Sequence, residues 1–347
     1  MGNSDIGPST RYARPSKRAM FAAGLRVSGL GALLRRLPSW RGALVLSYHR
    51  IGDRSQSDLH RGLFSASVQG LDRQLRLLTR HFDVVAPGQL DEDLLSTRGR
   101  HVVVTFDDGY RDLYELAHPV LRANNVRALM FLCTGFIDGH ERAWWDDIGW
   151  MLRHATLPQL PPGPWSQRPL PLAGAQVESA IDVLTRAYWE LTPPRASEFL
   201  ASLASVTGAG ARPTSAEDWI TWDMARALKA SGHEIGGHTE THPVLSRLPR
   251  SQQLTEIVAS RDRIAEELGE RPRWLAYPVG TKDAFDTTTL DVAREAGVQL
   301  AFSNYGGRVT RAGFTMLDVR RVPVESMRTF DLFSATMTLP QVLAQPA

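Results

Sequence analysis

Short apolar runs and helix-period segments alternate along most of the chain. Leu44–Tyr48, Val102–Phe106 and Ala128–Cys133 are continuous, β-rich and flanked by polar or turn residues, the pattern of strands buried on both faces. Between them, Val68–Arg80 and Leu113–Ala123 repeat apolar positions every three or four residues and predict helices. The alternation resumes downstream, with helices predicted over Asp223–Ala230, Gln252–Leu268 and Thr288–Ala296 and strands over Glu234–Gly237, Trp274–Tyr277 and Gln299–Phe302. Strands interleaved with helices pair in parallel through crossovers. The number of units favours an α/β fold closed as a (β/α) barrel over an open sheet.

The rhythm breaks between 139 and 218. Six prolines between Pro158 and Pro171 crowd one loop, and helical patterns follow over Gln176–Leu191 and Ala196–Val206. This reads as a mainly helical insertion in a catalytic domain spanning 42–330. Loops on the C-terminal face of a barrel carry function, so the insertion is expected either to cover the site or to be an embellishment remote from it.

Composition changes this picture at one end of the chain. With 43% hydrophobic and 22% charged residues in 347, the sequence has ample core and is not disordered as a whole. The net charge of +3 conceals an asymmetry, because residues 1–41 hold eight basic side chains and one acid, Asp5. Within that arm Met20, Ala23, Val27, Leu30 and Leu34 recur at helical spacing, weakened by Gly24, Gly29 and Gly31. A basic, partly amphipathic arm over 1–41 is expected to make peripheral contact with an anionic membrane, and no nucleic-acid partner is expected. Arg26 interrupts the one stretch resembling a secretory signal, so a cytoplasmic location, peripheral at the inner membrane face, is the expectation. Residues 331–347 read as a C-terminal tail. The lone Cys133 cannot form an internal disulfide and lies in an apolar run suited to packing.

Candidate chemistry gathers at the ends of predicted strands. Val102–Phe106 runs into Asp107-Asp108-Gly109, which sets two carboxylates where barrel enzymes place catalytic groups. Asp-Asp-Gly alone is an ordinary turn, and two adjacent carboxylates need positive charge nearby. Gly236-Gly237-His238-Thr239-Glu240-Thr241-His242-Pro243 supplies it, because two histidines four apart can share one ion. The spacing is not that of a His-Glu-x-x-His zinc helix, since Glu240 stands two residues after the first histidine. Two imidazoles and a carboxylate suit Zn²⁺, with cobalt, nickel or manganese as octahedral alternatives, and leave positions open for water and a substrate oxygen. Ala276-Tyr277-Pro278-Val279-Gly280 forms a third rim segment whose backbone amides are placed to stabilise an oxyanion, with Tyr277 as a candidate substrate contact. Trp144 and Trp145, beside Asp146 and Asp147, read either as a sugar-stacking platform or as an anchor for the insertion.

Thr105-Phe-Asp-Asp-Gly109, His238-Thr-x-Thr-His242 and Tyr277-Pro-x-Gly280, in that order, resemble the motifs of the polysaccharide deacetylases, the NodB-homology domain of carbohydrate esterase family 4. Ser47-Tyr-His-Arg-Ile51 resembles the first strand of many members, and the likeness covers roughly residues 42–325. The resemblance implies a distorted (β/α) barrel that hydrolyses the N-acetyl group of an amino sugar and releases acetate. It further implies Asp108, His238 and His242 as ligands of a divalent metal, Asp107 as general base, and the Val279 amide as oxyanion donor. Two departures follow. Ala276 replaces the arginine that usually orients the base, leaving Arg321 as its substitute, and no histidine follows His242 to serve as general acid. His49 is the candidate acid; the alternative is that Asp107 carries its own proton on to the leaving amine. A silent glycan-binding protein and a hydrolase of another non-peptide C–N bond are the competing functions.

Overall fold

The computed structural model describes residues 16–37, 40–210, 212–213 and 218–344. The first 15 residues of the arm, with Asp5, Arg11 and Arg14, and residues 214–217 at the end of the insertion lie outside them.

Seven parallel strands close a barrel: β1 Gly42–Tyr48, β2 Arg100–Phe106, β3 Ala128–Leu132, β4 Glu234–Gly237, β5 Trp274–Ala276, β6 Leu300–Ser303 and β7 Val319–Pro323. Each pairs with the next in sequence, and β7 returns to β1 with Val45 opposite Arg321. The period of two divides their side chains between two cores. Leu44, Leu46, Val102, Val104, Ala128 and Met130 pack outward against the helices. Ala43, Val45, Val103, Leu129, Phe131, Ala276 and Val319 fill the interior. Continuing the inward parity places Ser47 within and His49 just beyond β1, Thr105 within and Asp107 just beyond β2, and Arg321 within β7, all toward the C-terminal end of the barrel.

The longer helices are α1 Lys17–Val27, α2 Leu30–Arg36, α3 Val68–His81, α4 His118–Ala123, α5 Trp144–Arg153, α6 Gln176–Trp189, α7 Pro193–Thr207, α8 Trp222–Ala230, α9 Arg250–Leu268, α10 Thr287–Glu295 and α11 Phe330–Thr338. Helices α3, α4, α8, α9 and α10 follow or precede the strands as crossovers. The insertion comprises α5, α6, α7 and a small hairpin, Gln159–Leu160 with Leu170–Pro171. It has its own core, in which Trp144, Ile148, Leu160, Ile181, Leu184, Phe199 and Leu203 are buried.

Three features depart from expectation. Strand β7 escapes an apolar-run reading because it carries two arginines, yet Arg321 is completely buried. The stretch expected as a tail forms α11, which buries Leu332 and Phe333 in the main core. The described part of the arm has two helices broken at Gly29, whose φ of +71° a glycine adopts freely. Its docked face includes Ala22, Leu25 and, of the expected apolar stripe, Leu34, whereas Met20, Val27 and Leu30 of that stripe face solvent.

Candidate active site

Among the described residues, five non-glycine residues have positive φ, and four of them, Asp108 at 73°, Thr239 at 64°, His242 at 59° and Val279 at 63°, lie just past β2, β4 and β5. For threonine and valine this conformation is costly and persists only where surrounding contacts impose it. Part of that restraint on the histidine loop is visible. Glu256 of α9 accepts from the Glu240 amide at 3.0 Å, the Thr241 amide at 2.9 Å and the Thr241 hydroxyl at 2.6 Å. The Thr239 hydroxyl accepts from the His242 amide at 3.1 Å.

So held, Asp108, His238 and His242 converge, all three buried, with one ligand atom of each lying within 4.8 Å of the others. Nε2 of His238 and of His242 stand 3.4 and 3.5 Å from Asp108 Oδ1. His238 is oriented by a 2.8 Å contact of Nδ1 with the Ala276 carbonyl, which fixes Nε2 as the free nitrogen. Asp108 Oδ1 is buried without a hydrogen-bond partner. Such an atom is expensive to leave unmade, and a cation between it and two imidazoles answers it. The donor set therefore fits a divalent metal. Burial and the neighbouring His238 push His242 down to about 3, keeping it neutral as a ligand must be, and Asp108 is held at about 2 against its burial, chiefly by His238 and His49.

Asp107 is clamped from behind. Arg321 donates Nη1 to Oδ1 at 2.6 Å and Nη2 to Oδ2 at 2.8 Å, a bidentate pair with both partners nearly inaccessible. The guanidinium is itself positioned by the Ser303 carbonyl and the Thr105 hydroxyl, each at 3.1 Å. Burial raises the Asp107 pKa, but Arg321 and the adjacent imidazoles outweigh it and hold the carboxyl below its usual range. His49 Nε2 lies 3.8 Å from Asp107 Oδ2, and its Nδ1 lies 3.4 Å from Glu325 Oε1. The Ser65 hydroxyl ties this corner together, accepting from the His49 amide at 2.9 Å and donating to Glu325 at 3.3 Å.

Sequence reasoning does not find Glu325. Its place two residues past β7 would have pointed to it had that strand been recognised. Val279 sits past β5, and its N–H donates to no carbonyl among the described residues.

A groove of about 580 Å³ opens beside His242 between the insertion and α9, lined by Glu141, Trp144, Tyr188, Thr241 and Arg247. Of the aromatic candidates, only Trp144 borders it, stacked on Tyr188 at 4.0 Å. Trp145 is instead a wall behind His242. It donates Nε1 to the Tyr110 hydroxyl at 2.7 Å and sets its ring edge-on to His242 at 4.5 Å. Tyr277 is no substrate contact. It is 1% exposed, stacks on Phe285 at 4.5 Å and donates its hydroxyl to the Leu317 carbonyl at 2.9 Å.

The sequence profile described as polysaccharide deacetylase matches residues 95–301, more than half of the chain and the span that holds both carboxylates and both histidines. The chain belongs to the polysaccharide deacetylase family. That places it in a family of carbohydrate deacetylases. The fold of this polysaccharide deacetylase is shared by two solved structures. The Streptococcus pyogenes deacetylase PplD, in complex with acetate, aligns with a TM-score of 0.54 at 17% identity over 88% of this chain and 99% of its own. IcaB from Ammonifex degensii aligns with a TM-score of 0.54 at 22% identity over 88% and 98%. At such identities the likeness is one of fold. A 72-residue stretch is also 31% identical to the uncharacterized protein YlxY of Bacillus subtilis, spanning 21% of this chain and only 22% of that relative's length.

Proposed function

We propose that the protein removes the N-acetyl group from an amino sugar of a polysaccharide or its precursor, in a metal-dependent hydrolysis that releases acetate. The observation that carries this reading is the unpartnered Oδ1 of Asp108 facing Nε2 of two histidines, directly beside a carboxylate fixed by a bidentate arginine. Asp108, His238 and His242 would hold the ion, for which zinc suits the donors best. When bound, a divalent cation polarises the acyl oxygen and acidifies water.

The chain's own groups supply the remaining work. Asp107, kept ionised by Arg321, takes a proton from the attacking water as its oxygen bonds to the acyl carbon. The Val279 N–H serves the oxygen on which negative charge develops. The C–N bond then breaks, and the leaving nitrogen takes a proton from His49. Burial lowers the pKa of that imidazole, but Glu325 and the two aspartates outweigh it and lift the value to about 9, so it is charged at neutral pH. The groove walled by Trp144 and Tyr188 is where the rest of the saccharide is expected to lie.

The test is acetate release from N-acetylglucosamine oligomers by metal-stripped protein with and without added Zn²⁺, alongside Asp107→Asn. Release restored by zinc and lost in the variant supports the reading. Tight oligomer binding with no release under any metal would make this a glycan-binding protein instead.

A further inference from the structure

Helices α1 and α2 dock on the side of the barrel with an unusual choice of outer surface. The solvent-facing side of a docked helix is ordinarily polar. Here Met20, Phe21, Val27, Leu30, Leu33 and Leu37 are between 44% and 79% exposed, and they are six of the ten large apolar side chains exposed among the described residues. Leu30, Leu33 and Leu37 follow a spacing of three and four, so they form one stripe of α2 and its end rather than scattered exposures.

The hairpin is nevertheless firmly attached. Arg26 pairs with Asp331 at 2.8 Å, Arg35 donates to the Ser334 hydroxyl at 2.9 Å, Arg18 donates to the Leu343 carbonyl, and the Trp40 indole donates to the Met337 carbonyl at 2.9 Å. These contacts hold the inner face while leaving the apolar one outward. An exposed patch of this kind on a fixed element marks a contact surface.

Charge identifies the partner. Residues 16–41 contain six basic side chains and no acidic one. Segment 1–41, with eight bases and one acid, is +7, so the remainder of a +3 chain is −4. A symmetric contact between two copies through this face would bring two +7 segments together. An anionic lipid surface attracts the same face and accepts its apolar side chains at the headgroup boundary.

We propose that α1 and α2 form a membrane-docking face that seats the whole barrel on an anionic bilayer. It acts as a rigid part of the catalytic domain, not as a flexible tether. The Leu37 carbonyl accepts from Arg100 at 3.3 Å, and Arg100 begins the strand whose other end carries Asp107. The end of α2 therefore reaches the pole opposite the site.

This proposal is independent of the deacetylase reading, and its test does not depend on turnover. Full-length protein is co-sedimented with phosphatidylcholine vesicles, with or without phosphatidylglycerol. Binding is expected only to the vesicles containing phosphatidylglycerol and is expected to weaken with salt. Phe21→Ser with Leu33→Ser should reduce it by about tenfold or more, and Arg36→Ser by roughly fivefold. Both variants change exposed positions, so melting temperature and any acetate release should stay as in the parent. Equal binding to both vesicle types, no binding to either, or undiminished binding by the double variant overturns the proposal. So does a parental dimer that the double variant converts to monomer without any vesicle binding.

Discussion

Two Asp-Asp pairs stand in this molecule, one at the tip of β2 and one in the first turn of α5, and both are largely buried. Asp146 accepts from the His60 amide at 3.0 Å and the Tyr110 hydroxyl at 2.8 Å. Asp147 accepts from Arg142 at 3.0 and 2.8 Å and from Arg212 at 2.8 Å. All four oxygens of that pair are answered by the protein, and the network ties the insertion to the barrel. Of the pair at the tip of β2, Asp107 is answered by Arg321, whereas Asp108 retains a buried, unpartnered oxygen opposite two imidazoles. The dipeptide is the same, and its role is decided by which oxygens the fold leaves unmet. A satisfied buried carboxylate is structural, and an unsatisfied one beside neutral imidazoles is a place for a cation.

The comparison is broken most directly by exchanging charge at each pair. Asp108→Asn should abolish retention of zinc after dialysis. Asp107→Asn should keep the zinc and lower acetate release by about 10²–10⁴-fold, the usual contribution of a general base. Next in size, Arg321→Met leaves Asp107 buried without its counter-charge and should cost about 3–5 kcal/mol in chemical denaturation, with activity falling as well. Asp147→Asn leaves Arg142 and Arg212 short of an acceptor and should cost about 1.5–3 kcal/mol while zinc content stays at the parental level. If Asp147→Asn strips the metal, the division between a structural pair and a ligand-bearing pair is wrong.

How far this was legible in the sequence differs along the same lines. Asp107 and Asp108 could be read because they lie directly past the continuous apolar run Val102–Phe106, and His238 and His242 because two histidines four apart can share one ion. Arg321 was accessible only as the nearest arginine, because Val319–Pro323 has no apolar run to declare a strand, and with that strand unread Glu325 had no address. The aromatic residues were undecided for a different reason. Trp145 could be a sugar platform or an anchor by type, and Tyr277 a substrate contact, but both spend their polar atoms on internal partners, Tyr110 and the Leu317 carbonyl. Side-chain type gives capacity, and only packing shows where it has been used. The amphipathic arm repeats the lesson, since periodicity identified an apolar stripe but not whether the barrel or the solvent would meet it.

Glu325 offers the finest version of the comparison, because it is a partnered carboxylate like Asp147, except that its partner, His49, can lose its proton. Burial pulls the His49 pKa down; Glu325 foremost, then Asp108 and Asp107, lift it to about 9. The imidazolium is the form that can protonate a leaving amine, and it persists below that value and disappears as pH rises through it. Acetate release should therefore hold through neutrality and decline above about pH 9. Glu325→Gln removes the largest raising influence, so the alkaline decline should move to lower pH, with roughly a tenfold loss or less at neutrality. His49→Gln should remove that decline along with most of the activity. If the alkaline limb stays in place in Glu325→Gln, His49 is not the acid, and Asp107 must return to the amine the proton it took from water.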